Sequence, residues 1–505
     1  MKHVTKLASL LLALVMVFAL TITVSAVDNA QITAPAGSTR TYDVYQIFTG
    51  DLSGNVLSNV KWGKNGTGTE GTAVDQTTLD ALAAVNGKSD TEKLTEIQTY
   101  VKLDSEKFGT VSAGRPLTVP TGYYLIRDNG DNGSVGAGEA YSLYVVKIVG
   151  PTTISPKVGT VSSEKKVIDI NDTTGATTGW QDSADYDIGD KVSFQLKGVV
   201  ANDYANYTVY KFTFHDTQSA GLSFNADSVV VKVDGKNIDS GYYSVVTNGL
   251  ADGCTFEVRF ADLKQISSVH AGSVITVEYN STLNANATIG SAGNPNTMHL
   301  EYSNNPNDSQ GTTTGTTPND TVIVFTYKTV INKVTKNPDY KPDTDGSQAY
   351  IPLTGAAFKL EKKIKGADSA ENTWQLVEEF TVDEQNPAST FEFTGLDDGT
   401  YRLTETVTPA GYNSIEPIEF TVEAVHSDGD TPALTNLTGN KVSGEIEFKT
   451  NVPGASLSAD VVNNAGTVLP ETGGIGTTIF YILGGLLVLT AVVLLVTKKR
   501  MGVKA

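Results

Sequence analysis

The stretch that most constrains the fold of this chain lies near its C-terminus, where residues 479–496 read IFYILGGLLVLTAVVLLV without a charged side chain. A helix rises about 1.5 Å per residue, so about 20 apolar residues cross the roughly 30 Å hydrocarbon core of a bilayer. Lys498, Lys499 and Arg500 follow the run, and a basic tail of this kind stays on the cytoplasmic side. The sequence therefore predicts a membrane-spanning helix over residues 479–496.

The pentapeptide LPETG lies just before this run and consists of Leu469, Pro470, Glu471, Thr472 and Gly473. LPETG, apolar run and basic tail, in this order, closely resemble the sorting signal of Gram-positive cell-wall proteins, which predicts a C-terminal segment over residues 467–505. The resemblance implies that a sortase, a transpeptidase with a cysteine nucleophile, cuts between Thr472 and Gly473. The new Thr472 carboxyl is then passed to an amine. The alternative is that the apolar run is an ordinary C-terminal membrane anchor that no sortase processes.

The N-terminus has the three parts of a secretory signal peptide. Lys2 and Lys6 precede the apolar run LASLLLALVMVFAL, and small residues up to Ala26 provide a cleavage site. We therefore predict a signal peptide over residues 1–26. With the sorting signal, this predicts a secreted chain that is anchored in the membrane transiently and then attached to the cell wall of a Gram-positive surface.

The region between the two ends has the composition of a mainly β protein. The chain of 505 residues is rich in Gly (48) and Tyr (21), and helical periodicity is not sustained outside the ends. At about 100 to 200 residues per domain, three domains are expected, arranged as tandem immunoglobulin-like β-sandwiches of the Cna type. The net charge of −19 excludes nucleic acid as a partner. Cys254 is the single cysteine, so no disulfide can form within the chain.

The first predicted domain covers residues 27–157 and combines strands with one or two short helices over residues 77–103. Its phrase YDVYQIFTGDLSG resembles the N-terminal domain of Gram-positive backbone pilins. In that family a lysine ending the motif Tyr-Pro-Lys at this junction attacks the sortase-bound threonine. Pro156 and Lys157 match the motif, and Ser155 stands where the family has tyrosine. The resemblance implies that Lys157 is the acceptor amine; a solvated linker lysine is the alternative.

The second predicted domain covers residues 158–322 and contains at least six alternating segments, which fit a β-sandwich. These candidate strands are KVSFQLKGVV, YTVYKFTFHDT, SVVVKVDG, CTFEVRF, SVITVEYNSTL and TMHLEYSNN.

Phrases along this domain, among them EKKV, HDTQSAGLSF and GNPNTMHLEYSNNP, resemble the middle domain of backbone pilins, which builds an internal Lys–Asn isopeptide bond. The resemblance implies that Lys165 is the amine, Asp216 the acid and Asn296 the amide. Alternation along each strand allows Lys165 and Asn296 to point into the core. Lys166 and Asn304 remain open as the alternatives.

The third predicted domain covers residues 323–466. Its string TFEFTGLDDGTYRLTETVTPAGY closely resembles the collagen-adhesin B-type (Cna B) domain of pilins and surface stalks. The resemblance implies a second isopeptide site with Lys333 as the amine, Glu405 as the acid and Asn463 as the amide. Asn464 is the alternative, because a slip of one residue exchanges the two faces of a strand.

The chemistry needs these three residue types buried together. Burial favours the neutral form of an amine, which leaves a nucleophilic lone pair, and it keeps a carboxylic acid protonated. The acid polarises the amide carbonyl and moves protons, so ammonia leaves and a secondary amide remains. Three solvent-facing polar residues without a crosslink are the alternative at each site.

Other kinds of site have little support in the sequence. The chain lacks the G-x-S-x-G, H-E-x-x-H and P-loop motifs, so we expect no enzyme, apart from the single turnover that forms each isopeptide bond. The five histidines are scattered and form no local zinc pattern with Cys254, so we expect no metal and no cofactor. The acidic stretch 339–348 departs from EF-hand spacing and is expected to be a solvated loop, with Ca²⁺ binding as the alternative.

The combined prediction is the backbone subunit of a sortase-assembled pilus, in which Thr472 of one copy is joined to Lys157 of another. The expected partners are a sortase, other copies of the chain, peptidoglycan, ancillary pilins and host surface ligands. A monomeric wall-anchored adhesin is the alternative, and it shares every feature except a working Lys157. An ancillary pilin at the tip or base is a further variant.

Overall fold

The computed structural model describes residues 29–34, 36, 40–53, 56–85, 88, 90–128, 143–148, 151–154, 160–306, 308–342, 348–366, 371–467 and 475–501. The predicted signal peptide over residues 1–26, the acceptor Lys157 and the LPETG pentapeptide lie outside these residues. Strands predominate among them, which confirms the mainly β fold.

The N-terminal part of the described chain combines two small sheets with two helices. One sheet has the order β5-β1-β8, and the other has the order β3-β2-β6-β7 with β4 paired to β2. The Asp75 side chain caps α1 by accepting a hydrogen bond from the Thr78 amide at 2.9 Å, and Ile97 of α2 is buried against Trp62 and Tyr45 in the adjoining core. The elements are β1 (Asn29–Thr33), β2 (Thr41–Ser53), β3 (Val56–Trp62), α1 (Gln76–Ala84), α2 (Asp90–Gln98), β4 (Gly109–Ser112), β5 (Leu117–Pro120), β6 (Gly122–Asp128), β7 (Leu143–Ile148) and β8 (Thr152–Thr153).

The middle part is a sandwich of two larger sheets. The first has the order β16-β15-β19-β13-β9, and the second has the order β12-β22-β20-β14-β18-β17 with β21 paired to β20. Burial alternates along β13, where Val192, Phe194 and Leu196 enter the core. The strands are β9 (Ser162–Val167), β10 (Ile170–Asn171), β11 (Ala176–Thr177), β12 (Ser183–Asp185), β13 (Lys191–Val199), β14 (Phe212–Gln218), β15 (Leu222–Val233), β16 (Lys236–Asn237), β17 (Ser244–Val246), β18 (Phe256–Phe260), β19 (Val274–Leu283), β20 (Asn294–Ser303), β21 (Thr314–Thr316) and β22 (Asp320–Phe325).

One predicted strand of this sandwich is shorter than its sequence pattern indicates. The candidate strand YTVYKFTFHDT starts at residue 207, but β14 begins only at Phe212. The preceding tyrosines pack edge to face instead, with ring centroids 5.0 Å apart for Tyr204 and Tyr210 and 4.8 Å apart for Tyr207 and Tyr210. The segment before Phe212 is held by this aromatic packing and by single backbone hydrogen bonds, in which the Tyr210 carbonyl accepts from the Leu263 amide at 2.8 Å and the Lys211 carbonyl accepts from the Ser303 amide at 3.0 Å.

The C-terminal part is a second sandwich. Its sheets have the orders β24-β23-β32-β31, with β27 paired to β23, and β26-β25-β28-β29-β30. The first strand and the last strand are parallel neighbours, with Lys333 opposite Val461. The strands are β23 (Tyr327–Lys336), β24 (Tyr350–Pro352), β25 (Ala357–Ile364), β26 (Thr373–Glu379), β27 (Thr390–Leu396), β28 (Gly399–Val407), β29 (Ile418–Ser427), β30 (Ala433–Ser443), β31 (Phe448–Asn451) and β32 (Ser456–Val462).

A single long helix follows the second sandwich. This helix, α3 (Ile475–Met501), contains an apolar segment, Ile479–Lys499, that is long enough to cross a membrane and is not packed against the rest of the described chain. The predicted apolar C-terminal helix is thereby confirmed.

A network of hydrogen bonds and ion pairs connects the two sandwiches. The Lys362 ammonium of the C-terminal sandwich lies 3.0 Å from the Asp172 carboxylate and 2.7 Å from the Asp187 carboxylate of the middle sandwich. Lys362 also contacts the buried Asp397 carboxylate of its own sandwich. The Asp397 amide donates to Asp187 Oδ1 at 2.9 Å. Ion pairs between side chains and a hydrogen bond from the backbone thus join the two sandwiches.

Candidate functional site

The first candidate site lies between the two sheets of the middle sandwich. Lys165 is on β9 in one sheet, whereas Asp216 on β14 and Asn296 on β20 are in the other. Asn296 is paired with Gln218, two residues beyond Asp216, so the acid and the amide are diagonal neighbours on one face. All three side chains are fully buried. The sequence-predicted residues therefore meet in the core.

The Tyr279 hydroxyl lies at the centre of this site. It accepts hydrogen bonds from Lys165 Nζ and from Asn296 Nδ2, each at 2.9 Å, and donates to Asp216 Oδ2 at 2.9 Å. Lys165 Nζ also contacts Asp216 Oδ2 directly. Tyr279 was not among the predicted site residues. The available signal was its position on β19, where it alternates inward with Ile275 and Val277.

Burial controls the protonation of the pair. Removal from water lowers the pKa of Lys165 and raises the pKa of Asp216, although their mutual attraction opposes both shifts. The Phe194 and Tyr279 rings lie 5.3 and 5.4 Å from Lys165 Nζ, so the amine is surrounded by apolar surface. Burial thus shifts both groups toward their neutral forms.

Two oxygen atoms in the site lack a hydrogen-bond partner in the described chain. They are Asp216 Oδ1 and Asn296 Oδ1, and both are buried. A buried carbonyl oxygen without a partner is unfavourable by about 1 to 3 kcal/mol. A proton on Asp216 Oδ1 would make this atom a donor, which is the type of partner that the Asn296 carbonyl lacks.

The second candidate site joins both sheets of the C-terminal sandwich. Lys333 is on β23, Glu405 is on β28 and Asn463 follows the last residue of β32. Lys333 Nζ contacts Asn463 Oδ1 and lies 3.0 Å from Glu405 Oε1, while Asn463 Nδ2 donates to the same Glu405 oxygen at 2.9 Å. The side chains of Lys333 and Glu405 are fully buried, and Asn463 is also buried. Amine, amide and acid are thus in mutual contact.

Packing and hydrogen bonds orient the groups of the second site. The Phe358 ring lies 5.4 Å from Lys333 Nζ, and burial lowers the pKa of Lys333. The other oxygen of Glu405 accepts from Thr408 Oγ1 at 2.9 Å, which leaves Oε1 for the amine and the amide. The hydrogen bond from Thr408 fixes the plane of the Glu405 carboxyl group.

The alternative residues occupy different environments. Lys166 points to the other side of β9, where it is half-buried and contacts Asp182. Asn464 is exposed. Asn304 is buried beside β21, and none of the contacts in the described part of the chain joins it to Lys165. The crosslinks themselves, and with them the choice of residues, remain predictions.

The predicted acidic loop is described only in part. Residues 339–342 and 348 are exposed, whereas residues 343–347 lie outside the described residues. The solvated loop and the alternative of Ca²⁺ binding both stay predictions.

Two family models match the C-terminal part of the chain. Residues 340–436 match the SpaA prealbumin-like fold domain, and residues 461–501 match the LPXTG cell wall anchor motif. The first match overlaps the stretch that resembles a Cna B-type domain. With the apolar helix α3, the matches define a surface protein that is anchored to the cell wall of a Gram-positive bacterium.

Individual proteins are similar over most of the chain. The trypsin-resistant surface T6 protein of Streptococcus pyogenes serotype M6 is 25% identical over 409 residues, which cover 70% of this chain and 71% of that protein. The solved structure of the T6 backbone pilin is 18% identical with a TM-score of 0.49, covering 88% of this chain and 100% of that chain. The full-length major pilin SpaD of Corynebacterium diphtheriae is 16% identical with a TM-score of 0.44, covering 87% of this chain and 98% of that chain.

Proposed function

We propose that this chain is the backbone subunit of a covalent pilus that a sortase polymerises, with an internal isopeptide bond in each of its two sandwiches. The observation that carries the proposal is the pair of buried lysine, acid and asparagine clusters in a chain with an LPXTG anchor. The similarity to T6, which is described as a backbone pilin, supports the same role.

In the middle sandwich, neutral Lys165 attacks the Asn296 side-chain carbonyl carbon. A bond forms between Lys165 Nζ and that carbon while protonated Asp216 donates to the carbonyl oxygen. Asp216 then carries a proton from the Lys165 nitrogen to the departing Asn296 nitrogen, which leaves as ammonia. The Tyr279 hydroxyl, which contacts all three groups, positions them for this transfer. The product is a secondary amide, and the acid is regenerated.

In the C-terminal sandwich, Glu405 has the corresponding role for Lys333 and Asn463. Its Oε1 already accepts from Asn463 Nδ2 at 2.9 Å, which is the nitrogen that must gain a proton to leave. The amine lies 3.0 Å from the same oxygen, so one carboxyl oxygen contacts both the proton donor and the proton acceptor. Proton transfer therefore requires no large movement.

The crosslinks suit a filament under tension. The proposed bond joins residues 333 and 463, so a force that enters the C-terminal sandwich through β23 leaves near β32 along covalent bonds. A sandwich without this bond resists pulling only through its unfolding barrier. Joining Thr472 of one copy to Lys157 of another is a heterologous contact, which propagates into a filament and does not close.

Cell-wall extracts test the polymer directly. Wild-type cells should give a ladder of high-mass bands in SDS, because covalent joints survive denaturation. Lys157→Arg keeps the charge but removes the primary amine, so the ladder should collapse to a single band. The matched control Lys102→Arg changes an exposed lysine of the same part of the chain and should keep the ladder. An unchanged ladder in Lys157→Arg would exclude Lys157, and a wild type without a ladder would favour the monomeric adhesin.

Intact-mass measurement tests the internal bonds. The full chain, purified in detergent from cells without a sortase, should be lighter than calculated by about 17 Da for each bond, because each bond expels one ammonia. Asn296→Ala and Asn463→Ala should each lose one of the two deficits. Asn304→Ala and Asn464→Ala serve as controls and should keep both. A wild-type chain at its calculated mass would refute the internal bonds but leave the polymer proposal intact.

A further inference from the structure

A second kind of site lies on the outer face of the middle sandwich, directly behind the first cluster. His215 precedes Asp216 on β14 and points to the opposite face of the sheet. It is paired with Glu257 on β18, and the segment before β18 brings Asp252 and Cys254 to the same place. The ligand atoms of these four residues all lie within 4.8 Å of one another.

We propose that His215, Asp252, Cys254 and Glu257 bind one Zn²⁺ ion. The set offers an imidazole nitrogen, a thiol sulfur and two carboxylate oxygens, which are the ligand types that zinc takes in proteins. A tetrahedral ion with bonds of about 2.0 to 2.3 Å holds its ligand atoms roughly 3.3 to 3.8 Å apart. The distance is 3.6 Å between His215 Nδ1 and Glu257 Oε1 and 3.9 Å between Cys254 Sγ and Glu257 Oε1.

The contact between His215 and Asp252 must open to admit an ion. His215 Nδ1 lies 2.7 Å from Asp252 Oδ2, as in a direct hydrogen bond, so an ion between them must separate these atoms by at least about 0.6 Å. Asp252 lies in the segment before β18, and its side chain is 36% exposed, so it can rotate. The other three side chains are much less exposed, so an ion would enter the site past Asp252.

The surroundings of His215 also favour its role as a metal ligand. Its far nitrogen, Nε2, lies 3.4 Å from Glu301 Oε2, and Glu301 is held by Thr314 Oγ1 at 2.6 Å. A carboxylate behind a metal-binding histidine fixes the tautomer that leaves the other nitrogen free to bind the metal. The His299 ring stacks on His215 with centroids 4.5 Å apart and an angle of 11°, which holds the imidazole plane.

The charges of the site balance. Binding displaces the thiol proton of Cys254 to solvent and forms the zinc–sulfur bond. Three anionic ligands and one Zn²⁺ leave a single negative charge, and the Arg259 guanidinium contacts the second oxygen of Glu257 to compensate it. The site would attach the segment before β18 to β14, in a chain whose single cysteine excludes an internal disulfide.

The sequence led us to expect no metal, because the histidines form no local zinc pattern with Cys254. That expectation rested on local spacing, and His215 and Cys254 are far apart along the chain. Pairing of β14 with β18 brings them together.

The test uses the full chain in detergent, stripped with a chelator, equilibrated with ZnCl₂ or CoCl₂ and then desalted. We expect one zinc per chain by elemental analysis and a higher melting temperature with zinc. The cobalt form should show a thiolate-to-cobalt absorption band and the intense visible bands of four-coordinate geometry. Glu301→Gln should weaken zinc binding by about 10- to 100-fold.

Ligand variants and a matched histidine control complete the test. Cys254→Ser and His215→Ala should lose stoichiometric zinc, whereas His270→Ala, which changes an exposed histidine elsewhere in the sandwich, should retain it. The melting temperature of the metal-free variants should match that of the metal-free wild type, which separates loss of the site from misfolding. A wild type that retains no zinc, or a cobalt form without the thiolate band, would overturn the proposal.

Discussion

The Tyr279 hydroxyl contacts the amine, the acid and the amide of the middle site, so this single atom holds the geometry of the proposed reaction. Burial raises the pKa of Tyr279 well above its ordinary value, so the hydroxyl stays protonated and donates to Asp216. Without it, Lys165 would keep its contact with Asp216, but Asn296 would lose its hydrogen-bond acceptor. Tyr279 is therefore a positioning residue.

Tyr279→Phe should slow formation of the middle bond by 10-fold or more, because a misplacement of about 1 Å costs up to 100-fold in rate. Intact-mass spectrometry on newly synthesised chains should show a persistent species that lacks one deficit of about 17 Da. Tyr210→Phe is the matched control, because the Tyr210 hydroxyl is also buried but has no hydrogen-bond partner in the described chain. If Tyr279→Phe acquires the deficit as fast as Tyr210→Phe, the hydroxyl has no positioning role.

The pairing of β23 with β32 determines what the C-terminal crosslink achieves. The two strands are parallel and adjacent, so an amide from Lys333 to Asn463 closes almost the whole C-terminal sandwich into one covalent loop. If only backbone hydrogen bonds joined these strands, the strands would separate when the sandwich unfolds. The covalent bond restricts the unfolded chain as well as the folded one.

Asn463→Ala should lower the stability of the C-terminal sandwich by roughly 4 to 5 kcal/mol, the loop-closure contribution of a crosslink that spans about 100 residues or more. Calorimetry of the full chain should show the corresponding transition lowered by roughly 10 to 20 °C. Asn464→Ala, which changes the exposed neighbour, should leave the transition unchanged. Equal melting of the two variants would mean that no covalent closure stabilises this sandwich.

The junction between the two sandwiches contains a group of aspartates that Lys362 compensates only in part. Burial, with a contribution from Asp398, raises the pKa of Asp169 to about 7. Burial and the charge of Asp169 also raise the pKa of Asp185. Nearby, burial lowers the pKa of His426 to about 4, so this histidine supplies no positive charge at neutral pH. Asp169 and Asp185 therefore bind protons more readily in the folded chain than in the unfolded chain.

Asp169→Asn should stabilise the molecule at pH 8 by about 1 to 3 kcal/mol, because each unit of pKa shift corresponds to about 1.4 kcal/mol and the site is only partly buried. The sign follows from the raised pKa. Between about pH 4 and pH 7 Asp169 holds a proton in the folded wild type that it releases in the unfolded chain, so the contribution of Asp169 to stability falls as pH rises through this range. The advantage of the variant should shrink as pH falls from 8 toward 4.

Thermal unfolding of the full chain at several pH values measures this difference. Asp227→Asn, an exposed aspartate of the middle sandwich, is the control and should show no such pH dependence. An Asp169→Asn variant that is less stable than wild type at pH 8 would mean that the carboxylate stabilises the junction.

Motifs and alternation predicted much of the candidate crosslink chemistry. The string TFEFTGLDDGTYRLTETVTPAGY identified Glu405, and strand parity placed Lys165 and Asn296 on inward faces, where the structure has them. These predictions depend on local periodicity, which a strand imposes at every second residue. Tyr279 has the same inward parity, but its strand shows only an ordinary alternation of apolar residues. Its role could therefore be inferred only from the side chains that surround it in the structure.

The C-terminal apolar helix, the mainly β class and the residue types of the proposed crosslinks could be predicted from the sequence, because apolar length, alternation and short motifs are local properties of the chain. Which distant side chains meet could be seen only in the three-dimensional packing. It brought Tyr279 to the Lys165 site, Lys362 to the aspartates of the neighbouring sandwich and Cys254 to His215. The physical reason is that pairing between strands and packing between sheets join residues without regard to their separation along the chain.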